Sequence, residues 1–172
     1  MMMPELDEAF PEAPARSVNR TLHFLFLALL VTLSACGADP PDTLGPTEDG
    51  LPSCPDAPNC VHTGDGHPPD VLPFHLSPEW SDRSAEAVWS AVEAAVASLQ
   101  GTEIVTRTEN YLHAQSTSRI FRFVDDLEIY WRPNSLELVV RSESRIGRSD
   151  LGVNMTRVER LRQFLQAEGV VE

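Results

Sequence analysis

No lysine occurs in this sequence, so arginine supplies all 13 basic residues, and 26 acidic residues leave a net charge of −13. Nucleic acid is therefore a poor partner, because phosphate binding needs a basic face. The apolar run 22–31 is too short to cross a bilayer. There is no Gly-x-x-x-x-Gly-Lys phosphate loop and no Gly-x-Ser-x-Gly nucleophile elbow, so neither of these patterns supports phosphate chemistry or a hydrolase. The acidity is also uneven. Residues 36–82 hold nine acids and no base, whereas residues 83–172 hold thirteen acids against eleven arginines.

What is present at the start is a leader. Arg16 and Arg20 precede the apolar run, matching the basic and apolar parts of a secretory signal. A buried core helix is the alternative, but an apolar run followed at once by Leu33-Ser34-Ala35-Cys36 and a Pro/Asp-rich stretch fits a core poorly. The junction resembles the bacterial lipobox, which implies a diacylglyceryl thioether on Cys36, cleavage before it, and frequent acylation of the new amine. Residues 1–35 are thus expected to be a lipoprotein signal peptide, and the mature chain to be held in the cell envelope by lipid. Each buried methylene contributes about 0.8 kcal/mol, so two or three acyl chains hold firmly where one holds only marginally. Gly37 in place of aspartate implies outer-membrane sorting, facing the periplasm, in a cell with two membranes. The acidic stretch 4–12 ahead of Arg16 is unusual for such a leader and leaves the start codon open.

Residues 36–78 read as an acidic tether. Ten prolines lie between Pro40 and Pro78, together with Gly45, Gly50, Gly64 and Gly66, a composition that blocks regular structure. Inside it, Cys54 and Cys60 are expected to form a disulfide outside the cytoplasm. A zinc site of Cys54, Cys60, His62 and His67 is the alternative, although the spacing is not that of a standard finger.

Residues 79–172 read as a small α+β domain. Asp82 or Ser84 can cap a helix to about Leu99 with Val88, Val92 and Val96 on one side. Strands are expected at 103–108, 111–121, 122 or 123 to 131, and 136–145, joined by short turns that imply antiparallel pairing. Asn154 then caps a helix to about Glu168, with Met155, Val158, Leu161 and Leu165 as its apolar stripe and Gly169 as its stop. The expected architecture is an antiparallel meander of three or four strands covered on one face by two helices.

Several segments carry a family resemblance: Cys54-Pro-x-x-Pro-Asn-Cys-Val61, Tyr111-Leu-His-Ala114, Phe121-x-Phe-Val-Asp-Asp-x-Glu128 and Arg141-Ser-x-Ser-Arg-x-Gly-x-Ser-Asp-Leu-Gly-Val-Asn-x-x-Arg-Val-Glu159. In this order, over residues 51–168, they resemble the domain of unknown function 1499 family of bacteria and chloroplasts. The resemblance implies membership of a family with no assigned activity. Two departures are visible: His62-Thr63 replaces a pair of serines, and Arg148 stands where a tyrosine is common.

Period-2 alternation supplies the candidate site. With Phe121, Phe123, Leu127 and Ile129 turned inward, Asp126 and Glu128 face the other way, as do Arg141, Glu143 and Arg145 on the next strand. Asp126 and Glu128 can meet Arg141 or Arg145 across the ladder, as ordinary cross-strand pairs on a solvated face or as part of a binding surface. Two residues break the pattern. Asp125 falls on the inward face, where an unpaired carboxylate is strongly unfavourable, and Arg157 falls in the opening turn of the last helix, against its dipole. Pairing of Asp125 or Asp150 with Arg157 would account for both. The loop 145–154 could receive an anion on backbone N–H groups or simply dock the helix.

No catalytic residue and no cofactor is expected. Asp125 and Asp126 should point to opposite faces, as should His113 and serines an odd number of residues away. The expected function is a non-catalytic module, binding a protein or small ligand through the Asp126/Glu128/Arg141/Arg145 face and the 145–154 loop. The alternative is a hydrolase or transferase acting on an anionic envelope or lipid substrate.

Overall fold

A computed structural model describes residues 39–64, 66 and 71–172. The leader, Cys36 and His67 lie outside the described residues. Alternating side chains build the sheet: β1 (Cys60–His62), β2 (Phe74–His75), β3 (Thr102–Arg107), β4 (Tyr111–Thr117), β5 (Val124–Arg132) and β6 (Glu137–Ser144). The spatial order is β1-β6-β5-β4-β3, antiparallel throughout, and β2 also pairs with β6. The α+β class is as expected, but among the described residues the strands number six. The stretch expected to be an extended tether contributes two of them, since Cys60 pairs with Glu143 and Phe74 with Leu138.

Among the described residues three helices accompany the sheet: a short α1 (Pro78–Ser81), α2 (Ala85–Ser98) and α3 (Val153–Ala167). Ser84 caps α2 by accepting the Ala87 N–H at 3.3 Å. Val88, Trp89, Val92 and Val96 of α2 and Val158, Leu161 and Leu165 of α3 form one buried cluster with Leu112, Ala114, Leu127, Ile129, Leu138 and Val140 of the sheet. Each such side chain contributes about 1.5–3 kcal/mol of transfer free energy, so this face anchors the fold. Gly101, at φ +72°, makes the turn from α2 to β3 where an added Cβ would meet the Thr117 carbonyl oxygen at 2.7 Å.

Three expectations need correction. Phe121 and Phe123 do not turn inward; β4 ends at Thr117, Arg122 takes φ 57°, and both rings stay exposed on the β4–β5 connection. Asn154 does not cap α3. Gly152 occupies that position, and Asp150 accepts the N–H groups of Gly152 (3.0 Å) and Asn154 (2.7 Å). The second face of the sheet is not solvated, because residues 39–51 lie across it and seal Leu51 against Tyr111 and Val139. Among the described residues no helix is long and apolar enough to cross a membrane.

Candidate functional site

The charged residues singled out by alternation are brought together, but beneath the covering segment. Asp126, Glu128 and Arg141 are at most 2% exposed. Glu128 accepts the Tyr111 hydroxyl (2.8 Å) and the Gly45 N–H (2.8 Å) on Oε1, and Arg141 Nη1 (2.7 Å) on Oε2. Arg141 also donates to Glu143. Asp126 receives His113 Nε2 at 2.8 Å and a bidentate fork from Arg145, with Nε and Nη2 each at 2.8 Å. Buried charges persist only when matched in this way.

Electrostatics follow from the same contacts. Burial pushes the Asp126 carboxyl up, but the hydrogen bonds from Arg145 and His113 outweigh it and hold the group below its ordinary value. Glu143 moves the other way, since burial exceeds the pull of Arg141. Burial and the Glu128 carboxylate push the Tyr111 hydroxyl up. This network therefore occupies the interior of the fold, and it does not offer the open binding face expected of Asp126, Glu128, Arg141 and Arg145.

On the helical face the two anomalies meet. Asp125 Oδ2 accepts Arg157 Nη2 at 2.6 Å, and Arg157 Nη1 donates to Ser142 Oγ (2.8 Å) and to Asn154 Oδ1. Asn154, fully buried, also donates to the Asn59 carbonyl (2.9 Å) and to Ser144 Oγ (3.0 Å). Asp150 is the helix cap and does not pair with Arg157. The inward carboxylate and the dipole-opposed arginine thus neutralise one another, and the resulting polar seam ties α3 to β5, β6 and the residue preceding β1.

Cys54 and Cys60 are joined by a disulfide, with Cα atoms 5.7 Å apart. Both sulfurs are consumed in it, which removes the thiolates on which the zinc alternative depended. His113 and Ser116 lie on opposite faces of β4, His113 with Asp126 and Ser116 hydrogen-bonded to Thr102 at 2.6 Å. No nucleophile and base meet in that pair.

The open site lies at one end of the sheet. A cleft of about 300 Å³ is formed where the β4–β5 hairpin, the end of α2 and the start of α3 converge. Asp125 and Arg157 form part of its wall, with Ser116, Thr102 and Thr156 supplying hydroxyls and Arg119 and Arg160 standing at it. Arg119 and Arg160 are exposed and have no acidic partner among the described residues. Neither was singled out from sequence. Their signal was negative: each lacks an acid at a helical or cross-strand position that could pair with it.

The profile of a family described as a protein of unknown function (DUF1499) matches residues 50–165. The chain belongs to the DUF1499 family. The match begins at Gly50, so the DUF1499 unit takes in the disulfide loop, all six strands and nearly the whole of α3. It also takes in every residue named for the cleft. A search of curated proteins finds no match.

Proposed function

We propose that this chain is a membrane-anchored envelope lipoprotein whose DUF1499 domain is a non-catalytic binding module, and that the cleft beside α3 takes an anionic ligand. The observation that carries this is the pair of guanidinium groups, Arg119 and Arg160, with no acidic partner among the described residues, at a cleft whose one carboxylate among them, Asp125, is already neutralised by Arg157. A guanidinium with no acid partner leaves its donors for phosphate or carboxylate oxygens. Thr102 and Ser116 share one hydrogen bond at 2.6 Å, which leaves one O–H of the two to donate to such an anion. The lipobox junction at Cys36 supports the anchoring half of the proposal.

The test is a titration of residues 37–172 with inorganic phosphate, followed by the amide shifts of Gly152, Val153 and Thr156. Residues 37–172 hold every core side chain named above. Saturable shifts are expected in the wild type, weakened about tenfold in Arg160→Ala, which corresponds to about 1.4 kcal/mol and suits a charge-assisted hydrogen bond. Identical curves for both proteins would remove the cleft as the binding site.

A further inference from the structure

The rim of the cleft is unusually apolar. Six large side chains stand exposed at this end of the sheet: Ile120, Phe121 and Phe123 on the β4–β5 hairpin, and Ile146, Leu151 and Val153 where β6 leads into α3. Their exposure runs from 42% for Ile146 to 95% for Leu151. The other large apolar residues so exposed among those described, Leu72, Val105 and Phe164, sit singly on separate elements. Phe121 and Phe123 stack on each other with centroids 5.5 Å apart, yet nothing covers them. Exposed apolar side chains concentrated at one end in this way mark an interaction surface.

Arginines without an acidic partner gather at this end. Arg119, Arg122, Arg148 and Arg160 have no acidic partner among the described residues, and all four lie on the two loops or on the cleft between them. Four arginines without an acidic partner among the described residues, gathered among exposed apolar side chains, match a surface that is both anionic and apolar-backed.

The path of the covering segment supplies the orientation. Gly50 packs on the Arg132 side chain at the far end of β5, Gly45 bonds to Glu128 midway, and the charge of Asp39 is felt by Arg145, beside the start of β5. The segment therefore reaches the sheet from the end that carries the patch. Two residues, Gly37 and Ala38, lie between Cys36 and Asp39, so three Cα–Cα steps reach at most about 11 Å. A lipid on Cys36 would be tethered at this end.

We infer that this end of the domain docks on an anionic membrane surface, the apolar loop residues entering the interfacial layer while the four arginines meet phosphate groups. The inference rests on the cleft reading for its anion and names that anion as a phospholipid headgroup. Apolar side chains at headgroup depth combined with basic residues are the two contributions that hold a protein on such a surface.

The experiment has two arms, both on residues 37–172, which lack the anchor. In the first, flotation is measured with vesicles of equal parts phosphatidylglycerol and phosphatidylcholine, and with vesicles of phosphatidylcholine alone. Binding to the anionic vesicles is expected, reduced about tenfold by the double substitution Ile120→Ser/Phe121→Ser, which leaves the cleft wall intact, and reduced similarly by Arg122→Glu/Arg148→Glu. It should also fall on raising salt from about 0.1 M to about 0.5 M. In the second arm, dihexanoyl phosphatidylglycerol is titrated as dispersed monomer into wild type, Ile120→Ser/Phe121→Ser and Arg160→Ala; only Arg160→Ala should lose affinity.

Vesicle binding lost with the rim variant supports docking. Failure of the wild type to float with anionic vesicles overturns it even where the monomeric lipid binds, and the cleft reading then survives alone. Vesicle binding that depends on the rim, with no binding of the monomeric lipid, overturns the cleft reading and leaves the docking surface standing. Concentration-dependent self-association abolished by the rim variant, with no flotation, would assign the patch to a second copy of the chain and overturn the inference.

Discussion

Arg157→Ala removes the one cation that meets the inward carboxylate of Asp125. The two side chains are 10% and 12% exposed, their N–O separation is 2.6 Å, and Arg157 also serves Ser142 and Asn154. Breaking a buried pair by deleting one partner costs about 3–5 kcal/mol, because the remaining charge is stranded. The residual exposure at the cleft wall lets water soften that penalty, so the lower end, about 3 kcal/mol, is expected. Asp125→Ala/Arg157→Ala should then be less destabilised than the sum of the singles, with a coupling of about 1–3 kcal/mol. Asp150→Ala, which removes a helix cap, should cost about 1 kcal/mol and couple to Arg157 by less than about 0.5 kcal/mol. Urea denaturation of residues 37–172, followed by far-UV circular dichroism, measures all of these. Coupling below about 0.5 kcal/mol between Asp125 and Arg157 would refute the claim that this pair ties α3 to the sheet.

Three further outcomes are expected. Cys36→Ser should release the full chain from membranes after a high-salt wash, and mass spectrometry should find lipid on the wild-type N-terminus alone; equal retention of both forms, with no lipid mass, would sink the anchor. Non-reducing alkylation should leave Cys54 and Cys60 unmodified, and their joint replacement by serine should cost about 2 kcal/mol for so short a loop. The depressed carboxyl of Asp126 contributes stability that is present above its unfolded value near pH 4 and is lost as pH falls through its folded value. Asp126→Asn should therefore be less stable than wild type at pH 7 and show a flatter acid limb in Tm between about pH 5 and pH 3, whereas parallel limbs would exclude this group as a source of acid sensitivity.

Local periodicity made much of this molecule legible. The two long helices and β3 to β6 carry their own signals, an apolar stripe or a strict alternation bounded by Gly101, by Asn110 or by Pro133. Asp125 was found because it violated its strand's pattern, and Arg157 because it opposed a helix dipole, so each anomaly pointed to the other. What stayed hidden depends on distant chain. Strands of three and two residues between prolines have no period to read, and β1 and β2 exist only because β6 lies beside them. The covering segment 39–51 is likewise polar and irregular, and nothing local tells that Gly45 will reach Glu128. Without it, alternation assigns Asp126, Glu128 and Arg141 to water. Phe121 and Phe123 misled for the opposite reason, since aromatic character was equated with burial in a connection where β4 has already ended and both rings are exposed.

The pairing of β1 with β6 also sets the order in which this protein can assemble. Cys60 leaves the synthetic or export machinery early, yet its ladder partner is Glu143, near the other end of the domain. The disulfide, closing over only six positions, can form at once, and the β4–β5 and β5–β6 hairpins can zip as they emerge. Completion of the sheet must wait for α3, because the seam of Asn59, Ser142, Ser144 and Asn154 needs all its members. Such delayed long-range closure slows folding and leaves an unpaired edge on β6 in the interval. The nascent chain is thus most vulnerable to mispairing at the step just before its last helix arrives.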